Sequence, residues 1–177
     1  MQFINYYNSP LGRLTMASDG ESLTGLWFAQ QKYYASTLGN DFQGKDLPIF
    51  EETRRWLDLY FAGEEPNFIP KLAPQGSEFR KAVWQILQAI PYGKTITYGD
   101  IASSLAQQRG ISKMSAQAVG GAVGHNPISI IVPCHRVVGT NGSLTGYAGG
   151  INIKISLLKI EKVDLSKLFI PKKGTAL

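Results

Sequence analysis

The feature that most constrains this chain is a break near its middle. Residues 63–76 run Gly-Glu-Glu-Pro-Asn-Phe-Ile-Pro-Lys-Leu-Ala-Pro-Gln-Gly, with three prolines and two glycines. Proline removes a backbone donor and fixes φ, and glycine weakens regular structure, so no helix or central strand runs through such a stretch. A chain of 177 residues divided there gives two pieces of domain size, 1–76 and 77–177. The charge changes sign at the same place. Residues 1–76 hold six basic and nine acidic side chains, net −3; residues 77–177 hold twelve basic and four acidic, net +8. A basic half beside an acidic one points to a polyanion, most often nucleic acid, or to no more than a solvated basic C-terminus.

Composition removes other classes. Hydrophobic residues make up 44%, too many for a disordered chain. One cysteine and two histidines allow no internal disulfide, no cysteine-based zinc cluster and no histidine-rich metal site. No apolar run reaches the roughly 18 residues of a membrane span, and Met1 to Leu14 lack a basic stretch followed by an apolar one. The expectation is a cytoplasmic protein with no membrane association, no metal and no cofactor.

The fold expected is α+β. In the first half, Phe3–Tyr7, Gly12–Ala17 and Leu23–Phe28 read as strands, with an Asp19-Gly20 turn between the last two. This predicts a small antiparallel sheet. Ile49, Phe50, Thr53, Trp56, Leu57, Tyr60 and Phe61 then fall at helical spacing up to Gly63. The second half reads as mostly helical. Ser77 caps a helix over 78–90, and Thr97 with Asp100 forms a capping box for a short helix. A further short helix is expected over 113–124 and a last one over 151–162. Two short helices joined by a turn make a helix-turn-helix. The second of them is nearly bare: Ala116, Ala118, Gly120, Gly121, Ala122 and Gly124 surround Gln117. Each glycine costs about 1 kcal/mol of helix stability relative to alanine. Either close helix packing or close approach to a ligand, such as a DNA groove, offsets that. Small side chains suit the minor groove, about 6 Å wide, and imply shape and backbone contacts rather than base readout.

The chemistry sits in Ile130-Ile131-Val132-Pro133-Cys134-His135-Arg136-Val137-Val138, read as an apolar strand running into Pro-Cys. A lone thiol is either a small buried hydrophobe or a nucleophile. His135 beside it favours the second, because a cysteine near a histidine can be held as thiolate. Glu161 can orient such a histidine, as a third member does in nucleophile–base systems, or it is only a surface helix charge paired with Lys154 or Lys162.

These residues resemble the O6-alkylguanine-DNA alkyltransferases (methylated-DNA–protein-cysteine methyltransferases). Pro133 to Val138 is similar to the family's active-site motif. Phe79 to Trp84, Pro91-Tyr92-Gly93, Thr97-Tyr98, Ala118 to Ala122, Asn126-Pro127 and Tyr147 to Gly150 follow in the family's order and spacing. Ser9 to Gly12 and Leu26 to Phe28 resemble its more variable first domain. The resemblance implies repair of double-stranded DNA by irreversible, single-turnover transfer of an alkyl group from O6-alkylguanine, with O4-alkylthymine as a further candidate. The damaged base is flipped into a pocket. Cys134 is then the nucleophile, His135 takes its proton through a water, Glu161 holds the imidazole, and Asn126 braces the catalytic and DNA-contacting segments. Tyr98 donates to N3 of the leaving guanine. Gln117, Ala118, Gly121 and Arg136 fall on the DNA side, and Val137, Tyr147, Ala148 and Gly149 at the pocket. The implied partner surface is the minor groove, and the protein a monomer able to line up cooperatively on DNA.

Two departures stand out. Gln117 occupies a position where many members carry an arginine that fills the gap in the base stack. The zinc site of some relatives' first domain cannot form without cysteine in residues 1–133. Two other classes compete: a non-catalytic binder of alkylated DNA, against which Cys134 argues, and a cysteine hydrolase or helix-turn-helix regulator. A regulator needs a bulky polar recognition helix, which is absent.

Overall fold

The computed structural model describes residues 1–172; the end of the expected second domain, 173–177, lies outside the described residues. The chain divides into two compact units. The first comprises Met1–Gly76 together with Pro127–Ile131, and the second comprises Ser77–Asn126 and the chain from Val132 onward. The division at the proline-rich segment is thus accompanied by an excursion: five residues of the second half belong to the first unit.

In the first unit, β1 (Gln2–Ser9), β2 (Gly12–Ser18) and β3 (Leu23–Phe28) form an antiparallel meander, and β4 (Phe42–Gly44) pairs with β1. The sheet order is β3-β2-β1-β4. The β1–β4 pairing is parallel, which corrects the antiparallel sheet to a mixed one. Helix α1 (Pro48–Phe61) buries Ile49, Phe50, Trp56, Leu57 and Tyr60, the stripe its spacing predicts. Residues 127–129 add to the β3 side. The Leu26 N–H donates to the Pro127 carbonyl (2.8 Å), and the Ser129 N–H donates to the Leu26 carbonyl (2.9 Å).

The second unit is helical: α2 (Glu78–Gln88), α3 (Tyr98–Arg109), α4 (Ala116–Gly124) and α5 (Ile151–Ile160). The Ser77 hydroxyl accepts from the Arg80 N–H (3.2 Å). The expected capping box is present: Thr97 Oγ1 accepts from the Asp100 N–H (3.0 Å), and Asp100 Oδ2 accepts from the Thr97 N–H (2.8 Å). α4 starts at Ala116, not near residue 113, because Ser115 caps it by accepting from the Ala118 N–H. Val83, Trp84, Leu87, Ile101, Leu105, Val119 and Val123 are buried among these helices, and Trp84 Nε1 donates to the Ala122 carbonyl (2.8 Å). A buried indole N–H needs such a partner. Among the described residues no helix is long and apolar enough to cross a membrane.

One two-residue pairing sets the site. β5 (Ile96–Thr97) lies parallel to β6 (Val137–Val138), with Ile96 opposite Val137 and Thr97 opposite Val138. Tyr98, next after β5, is thereby brought beside the residues just before β6. Thr97 does two jobs, pairing with Val138 and capping α3. Thr97→Ala should therefore lower stability by about 1 kcal/mol, the usual cost of a lost N-cap. A urea midpoint unchanged from the wild type would show that the cap contributes nothing here.

Candidate active site

The segment before the cysteine is not the strand its composition suggests. The Ile131 N–H donates to the Ser129 carbonyl and the Cys134 N–H to the Val132 carbonyl, both at 2.8 Å. These are two three-residue turns, centred on Ile130 (φ 70°) and on Pro133 (φ −83°, ψ 65°). A short buried apolar run cannot be told from a strand by residue type alone. Positive φ is rare for a β-branched residue, so Ile130 marks a tightly constrained bend. Pro133 then enters a 3-10 turn, Cys134–Arg136, which leads into β6.

The Cys134 thiol is 5% exposed and accepts a hydrogen bond from Asn126 Nδ2 (3.2 Å). The same Nδ2 donates to the Val132 carbonyl (2.7 Å). Asn126 follows the end of α4, so one side-chain amide ties that helix to both the thiol and the turn presenting it. Burial pushes the thiol pKa up, opposed by Asn126, by the Lys154 charge and by backbone N–H groups.

Glu161, the C-cap of α5, is buried and gathers the rest. Its Oε1 lies 2.8 Å from His135 Nε2. Arg136 grips both oxygens, with Nε 2.9 Å from Oε2 and Nη2 2.8 Å from Oε1, while its Nη1 donates to the Ile90 carbonyl (2.7 Å). The Gly93 N–H donates to Oε2 (3.3 Å). Gly93 has φ 75°, and a Cβ there would stand 3.1 Å from the Glu161 carbonyl, so the glycine of the Pro-Tyr-Gly turn is required by conformation and by space. Burial would raise the Glu161 pKa, but the hydrogen bonds from His135 and Arg136 and the Arg136 charge hold it down at about 2. Burial lowers the pKa of His135, against the pull of Glu161 and aided by the Arg136 and Lys154 charges. The imidazole is therefore neutral at neutral pH and able to accept a proton.

Tyr98 is held by its hydroxyl, which shares its proton between the carbonyls of Thr145 (3.1 Å) and Gly146 (3.2 Å). Burial and the Cys134 charge raise its pKa, so it remains a phenol and a donor. A cavity of about 520 Å³ opens between Tyr98, α4 (Ala116, Gln117, Gly120, Gly121) and Thr145–Gly146, within the size range of ligand pockets. Gln117 and Ala118 are exposed. A Cβ on Gly121 would meet nothing within 4 Å, and one on Gly120 would only reach the Tyr98 ring at 4.0 Å. At Gly120 and Gly121 the protein's own packing does not demand a glycine, whereas Ala122 and Gly124 are buried against the other helices. Tyr147 stands edge-on to His135, ring centroids 6.5 Å apart. A Cβ on Gly149 would come within 2.7 Å of the Tyr147 ring, and Ala148 lies half-buried between them.

The structure thus brings Cys134, His135, Glu161 and Asn126 together, with Tyr98 alongside. Arg136 departs from its expected DNA-side place: its guanidinium is committed to Glu161 and Ile90, inside the unit. Val137 has a partner that was not foreseen. Its carbonyl accepts from Lys154 Nζ at 2.5 Å. Lys154 is fully buried and does not pair with Glu161 as a surface charge would. The signal was present, since 151, 154, 155 and 158 form one helical stripe and Lys154 is its one charged member. Among the described residues no group of three or more His, Cys, Asp or Glu could hold a metal ion.

Comparison with known proteins gives two family matches. Residues 78–163 match the DNA-binding domain of 6-O-methylguanine DNA methyltransferase, and residues 3–74 match its ribonuclease-like domain. A methylated-DNA–protein-cysteine methyltransferase of Haemophilus influenzae is 42% identical over 91% of this chain and 87% of its own length. One of Methanosarcina acetivorans is 45% identical over 88% and 95%. Among solved structures, Mycobacterium tuberculosis OGT in complex with DNA has TM-score 0.77 and 44% identity, covering 90% of this chain and 92% of that one.

The Glu161 network fixes an acid response. A carboxyl whose pKa falls on folding stabilises the fold above its unfolded value, 4.5, and that stabilisation is lost as pH drops toward about 2. Glu161→Gln should lower stability at pH 7 by about 3 kcal/mol and remove most of the loss of stability between pH 4.5 and 2. An acid-unfolding curve in that range as steep as the wild type's would place the titrating group elsewhere.

Proposed function

The chain belongs to the 6-O-methylguanine DNA methyltransferase family, and from that premise we propose that Cys134 accepts the alkyl group in a single, irreversible transfer from O6-alkylguanine. The family's reaction is DNA repair by alkyl transfer from DNA to a protein cysteine, and DNA is the partner. One observation carries the assignment to Cys134: the chain's one cysteine is hydrogen-bonded by Asn126 and is followed by a buried His135 paired with Glu161.

The residues divide the work as follows. The thiol proton passes through a water to His135, whose imidazole is oriented by Glu161. The thiolate attacks the alkyl carbon from the side opposite O6; the C–S bond forms as the C–O bond breaks, and the electron pair leaves with guanine. Tyr98, kept as a phenol, turns from the Thr145 and Gly146 carbonyls to donate to the leaving base at N3. Tyr147, Ala148 and Gly149 wall the base, with the carbonyl of Val137 offering its second lone pair to the exocyclic amine. α4 enters the minor groove with its small residues foremost, and Gln117 fills the gap left by the flipped base. Arg136 serves as the internal counter-ion of Glu161. A thioether is no leaving group for water, and no second thiol exists to receive the alkyl group, so the protein is consumed. It acts as a monomer in the cytoplasm, able to bind cooperatively along DNA.

Incubation with a duplex containing O6-methylguanine, followed by intact-protein mass measurement, should show one added methyl on the wild type and none on Cys134→Ser. An adduct retained by Cys134→Ser would overturn the assignment. The role of α4 is tested separately. Gly121→Ala should raise stability by about 1 kcal/mol yet slow duplex repair, while Gln117→Ala slows repair and Gln117→Arg speeds it. Wild-type repair rates in all three variants would remove α4 from the DNA interface.

A further inference from the structure

The mechanism leaves the first unit without a task, yet that unit includes Pro127–Ile131, from just before the cysteine. The chain leaves the second unit after Asn126 and rejoins it at Val132. The two ends of the excursion are joined by the Asn126 amide, which donates to the Val132 carbonyl and to the Cys134 sulfur. Within the first unit the segment is held by backbone and by side chain. Leu26 of β3 donates its N–H to the Pro127 carbonyl and accepts from the Ser129 N–H. Gln31 is 6% exposed, and its Oε1 accepts from both the Phe28 N–H and the Ser129 hydroxyl, each at 2.9 Å. Ser129 is itself buried. One amide oxygen of the first unit therefore fixes the residue immediately before Ile130.

Ile130 is the point that needs fixing. It carries φ 70°, and the Ile131 N–H closes the bend onto the Ser129 carbonyl (2.8 Å). This is the γ-turn of positive φ, a rare and strained form, at a β-branched residue that disfavours it further. Such a conformation persists only where its surroundings over-determine it. The carbonyl that closes the turn belongs to the residue that Gln31 and Leu26 hold. Past the bend come Ile131, Val132 and the Pro133-Cys134 turn. We propose that Gln31 is a positioning residue for alkyl transfer: its Oε1, through Ser129, keeps the Ile130 bend wound, so that Cys134 meets the alkyl carbon with its Asn126 bond intact. The first unit then acts on the reaction through the path of the backbone. The proposal rests on the alkyl-transfer reading for its purpose, though not for every arm of its test.

The test uses Gln31→Met, which keeps the side chain's length and removes the acceptor, and Gln31→Glu, which keeps an acceptor oxygen, both in the full chain. Two reactions of Cys134 are followed by intact-protein mass: methyl transfer from a saturating duplex containing O6-methylguanine, and alkylation by iodoacetamide. With the bend loosened, transfer in Gln31→Met should slow about tenfold or more, the usual consequence of a reacting atom held out of line. Duplex affinity should be unchanged, with still one methyl per protein at completion. The buried thiol should at the same time open to the small reagent and react at least about threefold faster. Gln31→Glu should bring both rates back toward the wild type. A role confined to folding would lower the urea midpoint and leave both rates of the folded protein alone. That result, or two rates that move in the same direction, overturns the proposal. Should the Met variant not fold, Ser129→Ala removes the hydroxyl and leaves the Gln31 bond to Phe28. The same opposed changes are expected there, and wild-type rates in both reactions refute the link. Iodoacetamide needs no guanine pocket. A wild type that accepts no methyl from DNA therefore sinks the repair reading alone, while the response of the thiol to these substitutions still decides this proposal.

Discussion

The buried carboxylate of Glu161 is the interaction on which the site depends. It receives His135, both forks of Arg136 and the Gly93 backbone, and so pins the end of α5, the Pro-Tyr-Gly turn and the 3-10 turn of the cysteine to one point. A buried charge is tolerable only when its partners are complete; removing one leaves the others stranded at a cost of several kcal/mol. Arg136 is therefore as necessary to the arrangement as the histidine, although it faces away from the cavity. It keeps the carboxylate ionised, and the ionised carboxylate keeps a neutral imidazole in one orientation.

A second junction lies at Asn126. Its amide bonds the Val132 carbonyl and the Cys134 sulfur directly after the helix whose bare face lines the cavity. An alkyl group on sulfur must compete with that amide for space. Extra carbon in a packed site costs about 1–3 kcal/mol, and here the strain falls on the link between the spent thiol and α4. On the proposed reaction, the energetic consequence would fall on the element with the small-residue surface.

Much of this was legible in the residues. Ser77 and the Thr97–Asp100 box cap helices as their types require, the Asp19-Gly20 turn joins two antiparallel strands, and the spacing of Ile49 to Tyr60 describes the buried face of α1. Glu161 lies 26 residues from His135, and only the resemblance and the logic of nucleophile, base and orienter joined them. What escaped has physical reasons. β4, β5 and β6 are two or three residues long, too short for any periodicity. Ile130 to Val132 have the composition of a strand, but Pro133 and a positive φ turn them into bends. Residues 127–131 join the first unit through backbone hydrogen bonds, which leave no trace in side-chain pattern. Arg136 and Lys154 are charged and so read as surface, whereas each is buried by partners distant in sequence.

The proposed reaction is direct, stoichiometric transfer to one thiol. It is tested most directly by counting the guanine restored when O6-methylguanine duplex is supplied in large excess and the reaction is left to completion. Single transfer gives a plateau at one restored guanine per protein molecule. Restoration that continues past that plateau would contradict it, because a thiol consumed as a thioether has no second turnover to offer.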